Sequence, residues 1–152
     1  MMHVLISGGM IKEEKREAYF AAFLTLLRRL RDGYKPIGRF SFSLRGWRVR
    51  MTCGLLERLE EPVEVFVLSP CRSFVELAKL AADAIGIEIH ASEMRASTMR
   101  SRVSELLVDV DYLILLEPED RLKEDGVKRG VGRVLLREAK KRGIDYAIVP
   151  IP

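Results

Sequence analysis

The sequence is poor in the residues that most often bind transition metals or form disulfides: it has two cysteines and two histidines in 152 residues. Cys53 and Cys71 are too few and too far apart for a zinc ribbon or a disulfide framework, so a reducing, cytoplasmic setting is expected. With His3 and His90 as the histidines, neither metal-spaced pairs nor a Ser-His-Asp set can be assembled. No Walker glycine-lysine loop is present either, and no metal or cofactor is expected. Long apolar runs are also lacking. None approaches the roughly 18 residues that cross a bilayer, so no membrane partner is expected. The opening residues 2–9 have no basic region and no extended apolar region of the secretory kind, and are expected to be a strand and turn. A strong charge of one sign is missing too. The 26 basic and 22 acidic residues leave a net charge of +4, modest beside dedicated nucleic-acid binders. Asn and Gln are absent while Arg, Lys and Glu are abundant, a composition that suits a thermophilic source.

What is present is a chain 48% hydrophobic and 32% charged, enough for one ordered core and expected to form a single domain over residues 1–152. Residues 4–7 are an apolar run ending in Gly8-Gly9, as when a buried parallel strand meets a tight turn with positive φ. From Lys12 to Arg31, Ala18, Tyr19, Ala22, Phe23, Leu26, Leu27 and Leu30 recur at helical spacing, and Asp32-Gly33 ends the helix. Residues 38–52 alternate around Arg45-Gly46 and read as a hairpin or a loop insertion. Residues 63–68 form a second buried strand, followed by a helix for which Ser73 is the expected N-cap, with Glu76 three residues on. Gly86 closes that helix, residues 87–90 supply a short strand, and Ser97 or Ser101 starts the next helix. Strand 111–116, a polar loop over 117–129, a helix ended by Gly143 and a strand over 146–149 complete the chain. Strands and helices alternate throughout, which predicts an α/β fold: a Rossmann-like, doubly wound, mostly parallel sheet of about five strands with helices on both faces. Ligands of such sheets bind beyond the carboxyl ends of the strands.

Several residues could carry chemistry there. Gly8 and Gly9 would let backbone N–H groups approach a phosphate at a helix N-terminus, although two glycines also serve a plain turn. Lys128, Arg129 and Arg133 surround Gly130 and Gly132 where a helix begins. Cations oppose the helix dipole at that point unless an anion is held, the alternative being a solvated basic helix end. Cys71 beside Arg72 at a strand-to-helix turn has the setting that lowers a thiol's pKa, but Leu77 stands where a phosphatase loop has Arg. Arg95, Arg100 and Arg102 could converge on phosphate or lie on a solvated face. Arg39, Arg45, Arg48 and Arg50 sit between aromatics, which suits stacking and backbone phosphates but suits the wet face of a hairpin better.

As a series of motifs, most of the chain resembles the SLOG superfamily of Rossmann-like domains, which includes the DNA-processing protein A (Smf) family and the LOG-type phosphoribohydrolases. Ser7-Gly8-Gly9 resembles the family's first glycine turn. Residues 68–75, with Ser69, Arg72 and Ser73, occupy the place of its second. Arg102 is similar to the arginine that precedes the strand opening with Asp111-Tyr112. Gly130-Val131-Gly132-Arg133 resembles the phosphate turn, here without Thr or Ser, and residues 146–150 resemble the last strand with its proline. The resemblance implies a nucleotide or phosphoribosyl ligand held by these residues together with Arg129. In hydrolytic members a carboxylate near the last turn assists N-glycosidic cleavage, and Glu138 is the nearest candidate here.

Three functions are therefore expected in order: binding of a nucleotide or phosphoribosyl compound in sensing or signalling, phosphoribohydrolase-type cleavage, and single-stranded nucleic-acid binding. Whether the chain catalyses anything is left open. The apolar first helix could serve as a homo-oligomer face.

Overall fold

In the computed structural model, residues 1–34, 39–44, 47–52, 59, 61–124 and 126–152 are described, with 39–44 and 47–52 given as backbone. The strands are β1 (Met2–Gly8), β2 (Arg39–Leu44), β3 (Trp47–Thr52), β4 (Val63–Ser69), β5 (His90–Glu93), β6 (Tyr112–Pro118), β7 (Leu122–Lys123), β8 (Gly126–Val127) and β9 (Asp145–Ile151). The helices are α1 (Arg16–Arg31), α2 (Arg72–Ile85), α3 (Ala96–Ser101), α4 (Val103–Leu106) and α5 (Val131–Arg142). Short 3-10 turns at Glu13–Lys15 and Glu119–Arg121 precede α1 and β7.

The main sheet has five strands in the order β5-β4-β1-β6-β9, and every neighbouring pair runs parallel. The fold is α/β and consistent with the doubly wound, Rossmann-like arrangement. Alternation along each strand divides the core in two. Val4, Ile6, Val65, Val67, Tyr112, Ile114 and Leu116 face α1 and α2, where Phe23, Leu27, Phe74 and Ala78 meet them. Leu5, Leu113, Leu115 and Ile148 face the other way, against Met99, Leu107, Leu135 and Ala139. Both faces of the central strands are covered, so β6 is buried at every position from Tyr112 to Glu117, and its apolar run Tyr112–Leu116 follows from that. Among the described residues, no helix is long and apolar enough to cross a membrane.

Residues within 38–52 pair as an antiparallel hairpin, Arg39 opposite Thr52 and Leu44 opposite Trp47. The expected break at Arg45-Gly46 and the arginine-aromatic side chains expected along the hairpin lie outside the described residues, as does Cys53.

The first helix, expected from Lys12, begins at Arg16 after the 3-10 turn, and three boundaries between β4 and β6 also differ from those expected. The strand expected at 87–90 begins at His90 instead. Gly86 caps α2 in the left-handed region with φ 72°, and the Ile87 N–H returns to Ala82 O at 3.1 Å. Residues 87–89 are thus used in leaving the helix, with Ile87 and Ile89 packed on the core. The N-cap of α2 is Cys71, two residues before Ser73, and no side chain caps it. The helix expected from Ser97 or Ser101 starts at Ala96 and is interrupted at Arg102, where φ −111° and ψ 18° separate α3 from α4.

Candidate functional site

The chain runs from β1 outward through β4 to β5, crosses back to β6, and then proceeds to β9. The strand order therefore reverses between β1 and β6, and a crevice opens outside the carboxyl ends of strands at such a reversal. A cavity of about 300 Å³ lies here. Met10, Lys12 and Lys15 line it from the segment between β1 and α1, Tyr19 from α1, the turn from Pro118 to Arg121 from the end of β6, and Arg129 from the approach to α5.

Glycines lie at the strand and helix ends next to these lining residues. A Cβ on Gly8 would stand 2.3 Å from Phe74 Cε2 and 2.7 Å from the Leu116 carbonyl oxygen, so the end of β1 must be bare for α2 and β6 to close around it. Gly130, with φ 88° and ψ −171°, adopts a backbone conformation almost confined to glycine and delivers the chain into α5. No side chain caps the 12 residues of α5. Its first N–H groups and the positive end of its dipole are therefore not answered by an N-cap side chain. The Arg121 guanidinium lies between the two turns: its Nη1 would be 3.1 Å from a Cβ on Gly9 and 3.7 Å from one on Gly130.

Among the described residues, three buried polar atoms have no hydrogen-bond partner: Ser7 Oγ, Tyr19 Oη and Glu117 Oε2. All three belong to the end of the sheet that holds the cavity. Glu117, 2% exposed, closes the apolar run of β6. Burial pushes its carboxyl up to about 7, against the opposing pull of Arg121. Burial also raises the Tyr19 phenol, and the Glu117 charge adds to that. Gly132 accommodates the carboxyl, since a Cβ there would stand 2.3 Å from Glu117 Oε1.

The residues expected from sequence divide into two groups. Gly8, Gly9, Arg129, Gly130 and Gly132 come together around the switch point, and Ser7 sits beneath it. Ser69 is fully buried, and its hydroxyl is engaged twice, donating to Gly8 O at 2.6 Å and accepting from the Cys71 N–H at 3.0 Å. It fastens β4 to β1. Arg72 is exposed on α2 and pairs with Glu76 at 2.8 Å, and the half-buried Ser73 follows it on the same helix. Arg102 lies between α3 and α4 and pairs with Glu105 at 3.7 Å. Arg133 points to a separate groove of about 160 Å³ that it shares with Lys123, Arg137 and Lys140. Glu138 pairs with Arg142 at 3.0 Å near the far end of α5, away from the cavity lining. Cys71 also departs from the lowered thiol pKa expected of its turn, because burial pushes the thiol up and outweighs the attraction of Arg121.

Sequence reasoning missed Lys12, Lys15, Tyr19, Glu117 and Arg121. Glu117 had a readable signal: a lone carboxylate ends an apolar central strand just before Pro118. Tyr19 had none, since Phe would satisfy the same helical pattern. Among the described residues, no group of three or more His, Cys, Asp or Glu is placed to hold a metal ion.

Comparison with protein-family models, with curated proteins and with solved structures finds no match to this chain.

Proposed function

We propose that the protein binds a phosphate-bearing small molecule of the nucleotide or ribose-phosphate class outside the carboxyl ends of β1 and β6, in a sensing or signalling role. One observation carries this reading: the switch-point cavity gathers Lys12, Lys15, Arg121 and Arg129 beside the uncapped start of α5, against Glu119 and Asp120. A guanidinium fork and a helix N-terminus are suited to the same oxyanion. The volume is at the lower end of ligand pockets, which fits a sugar phosphate or mononucleotide better than a dinucleotide. The SLOG resemblance of Ser7-Gly8-Gly9 and Gly130-Val131-Gly132 leads to the same end of the sheet. Cleavage by Glu138 gains no support from its pairing with Arg142.

A thermal-shift comparison of ribose 5-phosphate, AMP, adenosine and short single-stranded DNA tests the reading. A ligand at about a hundredfold its Kd adds about 2.7 kcal/mol, a shift of several degrees for a domain of this size. The phosphate esters are expected to raise Tm and adenosine to leave it unchanged, with the effect lost in Arg121→Met. Equal shifts with adenosine would discard the phosphate reading. A shift with DNA alone that vanishes as salt rises would favour backbone binding instead.

A further inference from the structure

Among the described residues, Glu117 is the one buried carboxyl near the cavity, and phosphate binding leaves it unexplained. A fully buried carboxylate without a hydrogen bond is costly, and a neutral carboxyl much less so. The groups around it come from every neighbouring element. Tyr19 on α1 and Cys71 in the turn between β4 and α2 are close enough to feel its charge, and Ser7 lies on the same face of the adjacent β1. The turn after β6 supplies Arg121 and Asp120, and α5 presents Gly132, which has no side chain. Of these, Arg121 alone offers positive charge. The same guanidinium borders the Gly9 and Gly130 turns and lines the cavity.

We propose that a dianionic oxyanion held at Arg121 in the cavity favours the protonated form of the buried Glu117 carboxyl, so that oxyanion binding is coupled to proton uptake by Glu117. This rests on the cavity being a phosphate site. When the cavity holds no anion, Arg121 is the counter-charge that lets Glu117 ionise. An oxyanion at Arg121 offsets the guanidinium's charge and adds negative charge nearby, and both effects favour the protonated carboxyl. The proton comes from solvent and rests on a Glu117 oxygen, and no other bond changes. Because burial brings the carboxyl to about 7, this exchange falls near neutral pH. Cys71 and Tyr19 are both pushed upward by burial, so neither releases a proton in that range.

Calorimetric titration of the whole chain with sodium sulfate, at ionic strength held constant by sodium chloride, tests this. Sulfate keeps its double charge across the range, so the probe does not titrate. We expect affinity roughly tenfold weaker at about pH 8.5 than at about pH 6, and uptake of about half a proton near neutrality when buffers of different ionisation enthalpy are compared. Glu117→Gln is expected to abolish both, while the proton count on the unaltered chain needs no variant. Sulfate binding without proton uptake, or the same pH slope in Glu117→Gln, would overturn the coupling and leave the phosphate site standing. Failure of both sulfate and ribose 5-phosphate to bind at any pH would remove the site and the coupling together.

Discussion

At the amino end of β1 the His3 N–H donates to Asp111 Oδ2 at 2.8 Å, and the Asp111 N–H returns to His3 O at 2.9 Å. The His3 ring meets Asp109 O at 2.9 Å, and Glu64 lies between the rings of His3 and His90 at 3.3 and 2.9 Å. At the carboxyl end of the same strand the Ser7 hydroxyl has no partner among the described residues, nor do Tyr19 Oη and Glu117 Oε2 nearby. One end closes its polar groups on one another, as stability requires. The other leaves buried groups unmatched, each at a cost of about 1–3 kcal/mol. Such groups at the switch point of a parallel sheet are what the proposed ligand site would answer.

The contrast is easiest to break at Gly8 and Gly132. Gly8→Ala forces a methyl against Phe74 and the Leu116 carbonyl, and overpacking of this kind costs about 3 kcal/mol, read as a lowered urea midpoint. Gly132→Ala meets the Glu117 carboxyl instead, and is expected to destabilise most where that carboxyl is charged.

The buried carboxyl gives the carboxyl end its own pH signature. The folded chain holds on Glu117, up to about pH 7, a proton that the unfolded chain releases near the ordinary glutamate value. Its contribution to stability is therefore fully present below the unfolded value, declines as pH rises through 7, and is absent above. The total is on the order of 3 kcal/mol. Urea titrations across this range should show the decline in the native chain and a flatter profile in Glu117→Gln.

Smaller effects sharpen the division. Asp111→Ala removes a paired group at the amino end and should cost about 1 kcal/mol by chemical denaturation without altering ribose 5-phosphate affinity. Glu138→Ala breaks an i,i+4 pair worth about 0.3–0.5 kcal/mol. It should leave both stability and ligand affinity nearly unchanged when measured side by side with Arg121→Met, which should retain stability and lose the ligand.

The architecture was legible because the central strands are dominated by apolar runs and the long helices carry a 3.6-residue stripe; β1, β4 and β6 and helices α1, α2 and α5 follow directly from that. The glycines at Gly8 and Gly130 were legible as well, since the tight packing of one and the φ of 88° at the other both demand glycine, but the positive φ expected of Gly8-Gly9 is not found, Gly8 being the last residue of β1. Legibility stopped at side chains whose role depends on placement. Ser69 and Arg102 carried motif positions, yet one hydroxyl is spent on the β1–β4 junction and the other side chain on a surface pair. Arg121 sits in a polar turn like any other basic residue until folding brings its guanidinium between two distant glycine turns.

The most direct test is a residue-resolved amide NMR titration with ribose 5-phosphate. The account predicts saturable shifts at Gly8, Gly9, Gly130 and Gly132, with His3, Glu64 and Asp111 at the opposite end of the strands undisturbed. Shifts centred on the amino end, or on the Arg133 groove with the glycine turns unmoved, would contradict it.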